Sequence, residues 1–166
     1  GLKVLHVAPE PSLRDYLTNK KNIEYISGDR FEPGYSYPTG TIKMDILNID
    51  FPSNYFDLII CNHVLEHIKD DDRAISEIYR VLKNGGKAIL QVPYTNEQKN
   101  IEYEDYSNAE FNEKFYGQSD HVRIYSKTEY LAMLENNKFI LQVYQMEKSW
   151  KKYCINENEV VFIVQK

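Results

Sequence analysis

The sequence predicts an α/β fold, a largely parallel sheet with helices packed on its faces, and three features carry that expectation. Short apolar runs alternate along the chain with polar or amphipathic connections, as they do when strands and helices take turns. The run "LIICNHV" (58–64) is continuously apolar up to its polar end at Asn62 and His63, as in a strand buried on both faces, and "KAILQV" (87–92) reads as another buried strand. Between them Ile75, Ile78, Tyr79 and Leu82 fall at i, i+3, i+4 and i+7, one face of a helix.

The elements follow in order. "KVLHVA" (3–8) reads as the first strand, and Ser12 to Asn19 forms a short helix with Leu13 and Leu17 four apart. "IEYISGD" (23–29) is the second strand. Residues 30–41 hold two prolines and two glycines and are read as loop. "IKMDI" (42–46) is a third strand, and "LIICNHV" is a central one whose polar end, Asn62 and His63, is where chemistry can sit. Asp70, Asp71 and Asp72 cap and charge the start of the next helix. "KNGG" (83–86) ends it, with Gly85 in the left-handed conformation that closes helices, and "KAILQV" follows. Residues 94–124 are polar with scattered aromatic residues and are expected to be a lid. "SKTE" (126–129) is a capping box in which Ser126 and Glu129 satisfy each other's backbone donors at the head of the last helix. "KFILQVYQM" and "EVVFIVQK" complete the sheet as an antiparallel pair at its edge.

A chain of 166 residues suits one domain, 1–166. The net charge of −5 offers no broad basic field for phosphates, so nucleic acid is not an expected partner. Two cysteines, Cys61 and Cys154, are too few for a disulfide framework and lack zinc-ribbon spacing, which points to a reducing, cytoplasmic setting. No stretch approaches the roughly 18 apolar residues of a membrane span, and the chain opens on a strand with no leader-like succession. The 14 tyrosines and 7 phenylalanines gather towards the second half; Tyr103, Tyr106, Phe111, Phe115 and Tyr116 are expected to give the lid an aromatic wall.

The segment "KMDILNIDFPSNYFDLIICNHVLEHIKDDDRAISEIYRVLKNGGKAILQVPY" (43–94) resembles class I S-adenosylmethionine-dependent methyltransferases, in particular the type 11 subgroup with its D-x-x-x-L-P-F-P-x-x-x-F-D segment. "HVRIYSKTEYLAMLENNKF" (121–139) is similar to the same subgroup, and the first strand and loop stand in register. The resemblance implies a Rossmann-like, doubly wound sheet of seven mostly parallel strands in the order 3-2-1-4-5-7-6 with an antiparallel edge strand. It implies S-adenosylmethionine as cofactor, lying over the carboxyl ends of the first, second and fourth strands, where the strand order reverses and adjacent loops diverge. An N-terminal helix that often covers the cofactor in the family does not precede the first strand here, so an open site or a truncated chain is expected.

Carried over by position, Asp29 is the expected ribose ligand, Asp45 and Ile46 face the adenine, and Asn62 and His63 lie beside the methionyl part and the reactive methyl. One departure stands out. Where the family shows an acidic residue and then G-x-G-x-G, this chain has His6, Ala8, Pro9, Glu10, Pro11 and Ser12, and the freedom and close approach that glycine allows are restricted. Three readings compete. Ala8, Pro9 and Glu10 still hold S-adenosylmethionine, with Glu10 accepting from its ammonium group; the loop is degenerate and the protein a non-catalytic binding or scaffold module; or another nucleotide binds. The first is adopted.

Methyl transfer from a sulfonium is an in-line displacement that asks the protein to align the reactants, with a general base where the acceptor is a hydroxyl. His63, His121 and Arg123 are the expected catalytic group, Arg123 either holding an acidic substrate or acting as a structural clamp. His67 is read as packing against the core or capping the turn after the fourth strand. His63, Glu66 and His67 form H-x-x-E-H, expected to share one helical face, with His121 as a fourth ligand; this looks like the E-x-x-E-H site of metal-dependent relatives. Such Glu-His pairs also occur in metal-free relatives, so the site is read without a metal. The expected acceptor is an oxygen or nitrogen of a small molecule or of a sugar- or lipid-linked intermediate.

Overall fold

The computed structural model describes residues 1–102, 109–116, 118–145 and 160–166. The main sheet is formed by β1 (Leu2–Val7), β2 (Ile23–Asp29), β3 (Ile42–Lys43), β4 (Phe56–Asn62), β5 (Leu82–Gln91), β9 (Ile140–Gln145) and β10 (Val160–Gln165). Their order is β3-β2-β1-β4-β5-β10-β9, which is the expected 3-2-1-4-5-7-6 arrangement once the short strands outside this sheet are set aside. β2, β1, β4 and β5 pair in parallel. β10 runs against both β5 and β9, so the antiparallel pairing lies at that edge.

The strands form where the sequence puts them because their apolar side chains are needed inside. Leu5, Ile59, Cys61, Ala88, Leu90 and Phe162 are fully buried, joined by Ile75 and Ile78 from α2 (Asp71–Val81) in the principal core. Asp70 caps α2 by accepting from the Arg73 amide at 3.2 Å. Glu77 and Arg80, also on α2, reach the loop before β4: Glu77 accepts from the Ile49 amide at 3.0 Å, and Arg80 donates to the Ile49 and Phe51 carbonyls at 2.7 and 2.8 Å.

One local expectation is corrected. α2 stops at Val81 without a glycine cap, because Leu82 already pairs with Phe56 as the first residue of β5. Lys87 then pairs with Leu58, so the segment between them bulges from the ladder. Gly85 does adopt a left-handed conformation (φ +77°), but inside this bulge. The described part of 94–124, the segment expected to form a lid, contains regular elements. β6 (Tyr94–Thr95), β7 (Ile101–Glu102) and β8 (Arg123–Ser126) form a second sheet in the order β6-β8-β7, and α3 spans Ala109–Tyr116. Tyr103, Tyr106 and Cys154 lie outside the described residues, as does the side chain of Phe111.

The capping box of α4 (Lys127–Asn136) is opened by a third residue. Ser126 Oγ accepts from the Glu129 amide at 3.4 Å, but the Ser126 amide donates to Asn100 Oδ1 and the Glu129 carboxylate accepts from the Asn100 amide, both at 2.7 Å. Asn100 thereby pins the excursion to the helix start. Tyr125 and Tyr130 are completely buried, and Tyr130 donates to the Leu90 carbonyl at 2.8 Å. These tyrosines are core residues with a satisfied hydroxyl. Among the described residues no helix is long and apolar enough to cross a membrane.

Candidate active site

The ends of β1, β2 and β4 and the chain leaving them build a crevice. Where β1 runs out, the Ala8 amide donates to the Gly28 carbonyl at 2.9 Å and the residue turns with φ +48°. That left-handed turn costs an alanine roughly 1–2 kcal/mol that glycine escapes; the packed strands on either side impose it. Pro9 is buried. Pro11 occupies the first turn of α1 (Pro11–Thr18), where no amide is needed.

Glu10 precedes α1 in extended conformation and makes no side-chain cap bond. Its carboxylate turns back over the strand ends. Oε2 lies 2.5 Å from His6 Nε2, and Oε1 accepts from Asn62 Nδ2 at 2.9 Å. His6 is fully buried, with Nδ1 2.9 Å from the Tyr25 hydroxyl. The carboxylate absent from the first strand thus returns four residues later on the loop, held by a histidine standing in the strand. Burial pushes the Glu10 carboxyl upwards, but hydrogen bonds from His6 and Asn62 outweigh it and hold the pKa at about 2 against a usual 4.5.

Two cavities open at this end of the sheet, and Glu10 lines the second of them. One of about 200 Å³ is lined by Ala8, Asp29, Asp45, Ile46 and Ile68 among others. Asp45 Oδ1 accepts from the Leu47 amide at 2.9 Å, which fixes the carboxylate at the rim, while Ile46 is buried beside it. The other, about 670 Å³, is lined by Glu10, Asn62 and His63 at its polar end and by Pro93, Tyr94 and Val160. Asn62 Oδ1 is buried with no partner among the described residues. Asn62 and Glu10 both line this cavity and both carry acceptor oxygens, the chemistry that the ammonium group at the methionine end of S-adenosylmethionine calls for. The residues present fit the cofactor: a carboxylate and apolar wall for the adenosine end, an acceptor pair for the amino acid end.

His63 ends β4 with φ +53° and donates its amide to the Gln91 carbonyl at 2.8 Å. Its Nδ1 lies 3.4 Å from Glu66 Oε1, and this carboxylate raises the imidazole pKa above its usual 6.5. The left-handed residue breaks the helical spacing expected of H-x-x-E-H, since the chain continues as a single 3₁₀ turn, Leu65–His67. His63 consequently touches Glu66 but is not one of the three residues, Glu66, His67 and His121, whose ligand atoms converge.

His121 and Arg123 line neither cavity. Arg123 is 3% exposed, and it donates to the Ile68 and Lys69 carbonyls at 2.5 and 2.9 Å and to Glu102 at 2.9 Å, with Asp71 at 3.0 Å. Its donors are spent inside the protein, which favours the clamp over a substrate contact. His6 was the residue of the site not chosen from the sequence; the signal was a lone polar residue inside an apolar strand, four positions before the only acid of the loop.

A crevice over the carboxyl ends of β1, β2 and β4, in a sheet of this order, is the architecture of class I methyltransferases. The chain belongs to the methyltransferase domain family, whose model matches residues 5–90, and the methyl donor of that family is S-adenosylmethionine. A 2-phytyl-1,4-naphtoquinone methyltransferase of Nostoc punctiforme is 33% identical over 70 residues, 42% of this chain and 30% of that protein. A ubiquinone/menaquinone biosynthesis C-methyltransferase of Psychromonas ingrahamii is 43% identical over 49 residues, 30% of this chain and 20% of that protein. The matched segments therefore span less than a third of these relatives. A SAM-dependent methyltransferase of Archaeoglobus fulgidus shares the fold with a TM-score of 0.68 at 15% identity, covering 99% of this chain and 86% of that one.

Proposed function

We propose that the chain is a single catalytic domain that holds S-adenosylmethionine across the two cavities and passes its methyl group to a small-molecule acceptor. The observation that carries this reading is the Glu10 carboxylate, fixed by His6 and Asn62 beside the unpartnered Asn62 oxygen. Asp29 and Asp45 serve the ribose and the adenine, Ile46 packs on the ring, and Ala8 and Pro9 shape the bend. Calorimetry with S-adenosylmethionine and S-adenosylhomocysteine is expected to give micromolar binding that Asp45→Ala weakens at least about tenfold, the loss of one hydrogen bond to a charged group. Absence of heat with either ligand would overturn the proposal in favour of a non-catalytic scaffold.

The acceptor enters the larger cavity, whose apolar wall suits a ring or chain and whose polar end offers His63. His63 is the only one of the four histidines that lines it, so it is the group placed to take a proton from an acceptor oxygen or nitrogen. A carbon acceptor of quinone type is the second reading, favoured by the names of the two relatives. For either acceptor His63→Asn is expected to lower kcat about 100-fold while leaving cofactor affinity unchanged. Single-turnover rates would decide it, and an unaltered rate removes His63 from the chemistry.

A further inference from the structure

Behind His63 lies a second cluster that the methyl-transfer site does not use. Glu66 and His67 come from the 3₁₀ turn after β4, and His121 comes from the chain between α3 and β8. One ligand atom from each lies within 4.8 Å of the others. The rings of His67 and His121 meet edge to face, with centroids 4.7 Å apart and planes at 84°.

Glu66 is 1% exposed and His121 5% exposed. Glu66 Oε2 and His121 Nδ1 are both buried without a hydrogen-bond partner among the described residues. Native interiors seldom leave two such atoms orphaned, still less in one place. The rest of Glu66 is well held. Glu66 Oε1 faces His63, and the Glu66 carbonyl accepts from the Val122 amide at 2.9 Å. His121 Nδ1 is thus a buried nitrogen that no protein group satisfies among the described residues. His67 Nδ1 lies 3.2 Å from Asp120 Oδ2 and 3.3 Å from the Asp120 carbonyl, leaving its Nε2 for a ligand. An imidazole whose one nitrogen is fixed by a carboxylate or carbonyl, while the other is bare, is the arrangement of metal-ligating histidines.

We propose that Glu66, His67 and His121 bind a divalent transition metal of the zinc type, with Asp120 orienting the His67 imidazole. A two-histidine, one-carboxylate set suits zinc or iron(II) better than magnesium, which takes oxygen ligands. Metal–ligand distances of about 2.0–2.2 Å need the three atoms to close slightly from their present spacing. The partly exposed His67 provides the way in. The site joins the turn after β4 to the chain arriving from α3, so an ion there ties the 94–124 excursion to the acceptor side of the crevice. The proposal does not depend on S-adenosylmethionine being the cofactor.

Protein purified without a polyhistidine tag and stripped with chelator would be titrated with Zn²⁺ by calorimetry and with Co²⁺ by visible absorption, Mg²⁺ serving as control. One equivalent of Zn²⁺, an intense low-symmetry Co²⁺ band and a rise in melting temperature are expected, with no response to Mg²⁺. His121→Ala and Glu66→Gln should each weaken Zn²⁺ binding more than about 100-fold, and Asp120→Asn about tenfold, because it removes only an orienting partner. His67→Asn, at the partly exposed ligand, gives the same test where the buried variants lose the circular dichroism of the folded protein. Substoichiometric binding, or binding retained in all folded ligand variants, would overturn the site.

Discussion

Glu10→Gln weakens S-adenosylmethionine by about 10- to 100-fold, the largest effect on binding expected of any single change in the crevice. A hydrogen bond from an ammonium to a carboxylate contributes about 1.5–3 kcal/mol, and the neutral amide keeps the shape while giving up the charge. Ala8→Gly in the same loop only relieves backbone strain, so it serves as a control that leaves affinity within about threefold. Equal affinity for the wild type and Glu10→Gln would remove the carboxylate from cofactor recognition. The same substitution has a signature in acid. The Glu10 pKa is depressed to about 2 from 4.5, so its contribution to stability is complete above about pH 4.5 and is lost as pH falls towards 2. The side chain is 43% exposed, and solvent screening reduces that contribution to about 1 kcal/mol. Denaturant midpoints of wild type and Glu10→Gln therefore converge between pH 4.5 and 2, and a constant gap across that window would contradict the account.

Arg123→Ala lowers stability by about 3–5 kcal/mol, because truncating one partner of a buried ion pair strands the other. The loss falls on Asp71 and on the carbonyls of Ile68 and Lys69, which Arg123 joins to β8. A melting temperature about 10 °C lower follows for a domain of this size. Arg123→Lys recovers little, since one ammonium cannot reach carbonyls and carboxylates arrayed around a planar fork. In whatever fraction remains folded, cofactor affinity stays unchanged. A protein of unaltered melting temperature that has lost turnover would return Arg123 to the substrate, the other role that its position in the sequence allows.

The sheet was legible because burial writes itself into composition: the apolar residues of "LIICNHV" and "KAILQV" mark them as buried strands, and they pair as β4 and β5 in the middle of the sheet. The helix start at Asp70 was legible for the same local reason, a cap acting over three residues. The end of that helix was not. Leu82 fits the helical period, yet its pairing with Phe56 draws it into the strand, and strand pairing is a long-range choice that no window of sequence contains. Half of the capping box holds, Ser126 Oγ accepting from the Glu129 amide, while its return bond is taken over by Asn100, 26 residues from Ser126.

The candidate site divides along that line. Ala8, Asp29, Asp45, Ile46, Glu10, Asn62 and His63 could be placed at strand ends by position alone, and they line the two cavities. Which of them touch could not be read. Glu10 and Asn62 are 52 residues apart in the chain and bonded in space, and the H-x-x-E-H pattern gave up its first histidine because His63 turns left-handed. The sequence by itself determined the alternation of strands and helices and the burial of the central strands, which rest on hydrophobic periodicity and short-range turn chemistry, and the family, which rests on the motif resemblance of residues 43–94. Only the tertiary structure decided that the displaced carboxylate closes on His6, that Arg123 is locked inside and that His121 meets Glu66, because each depends on side-chain contacts between segments that only the folded sheet brings together.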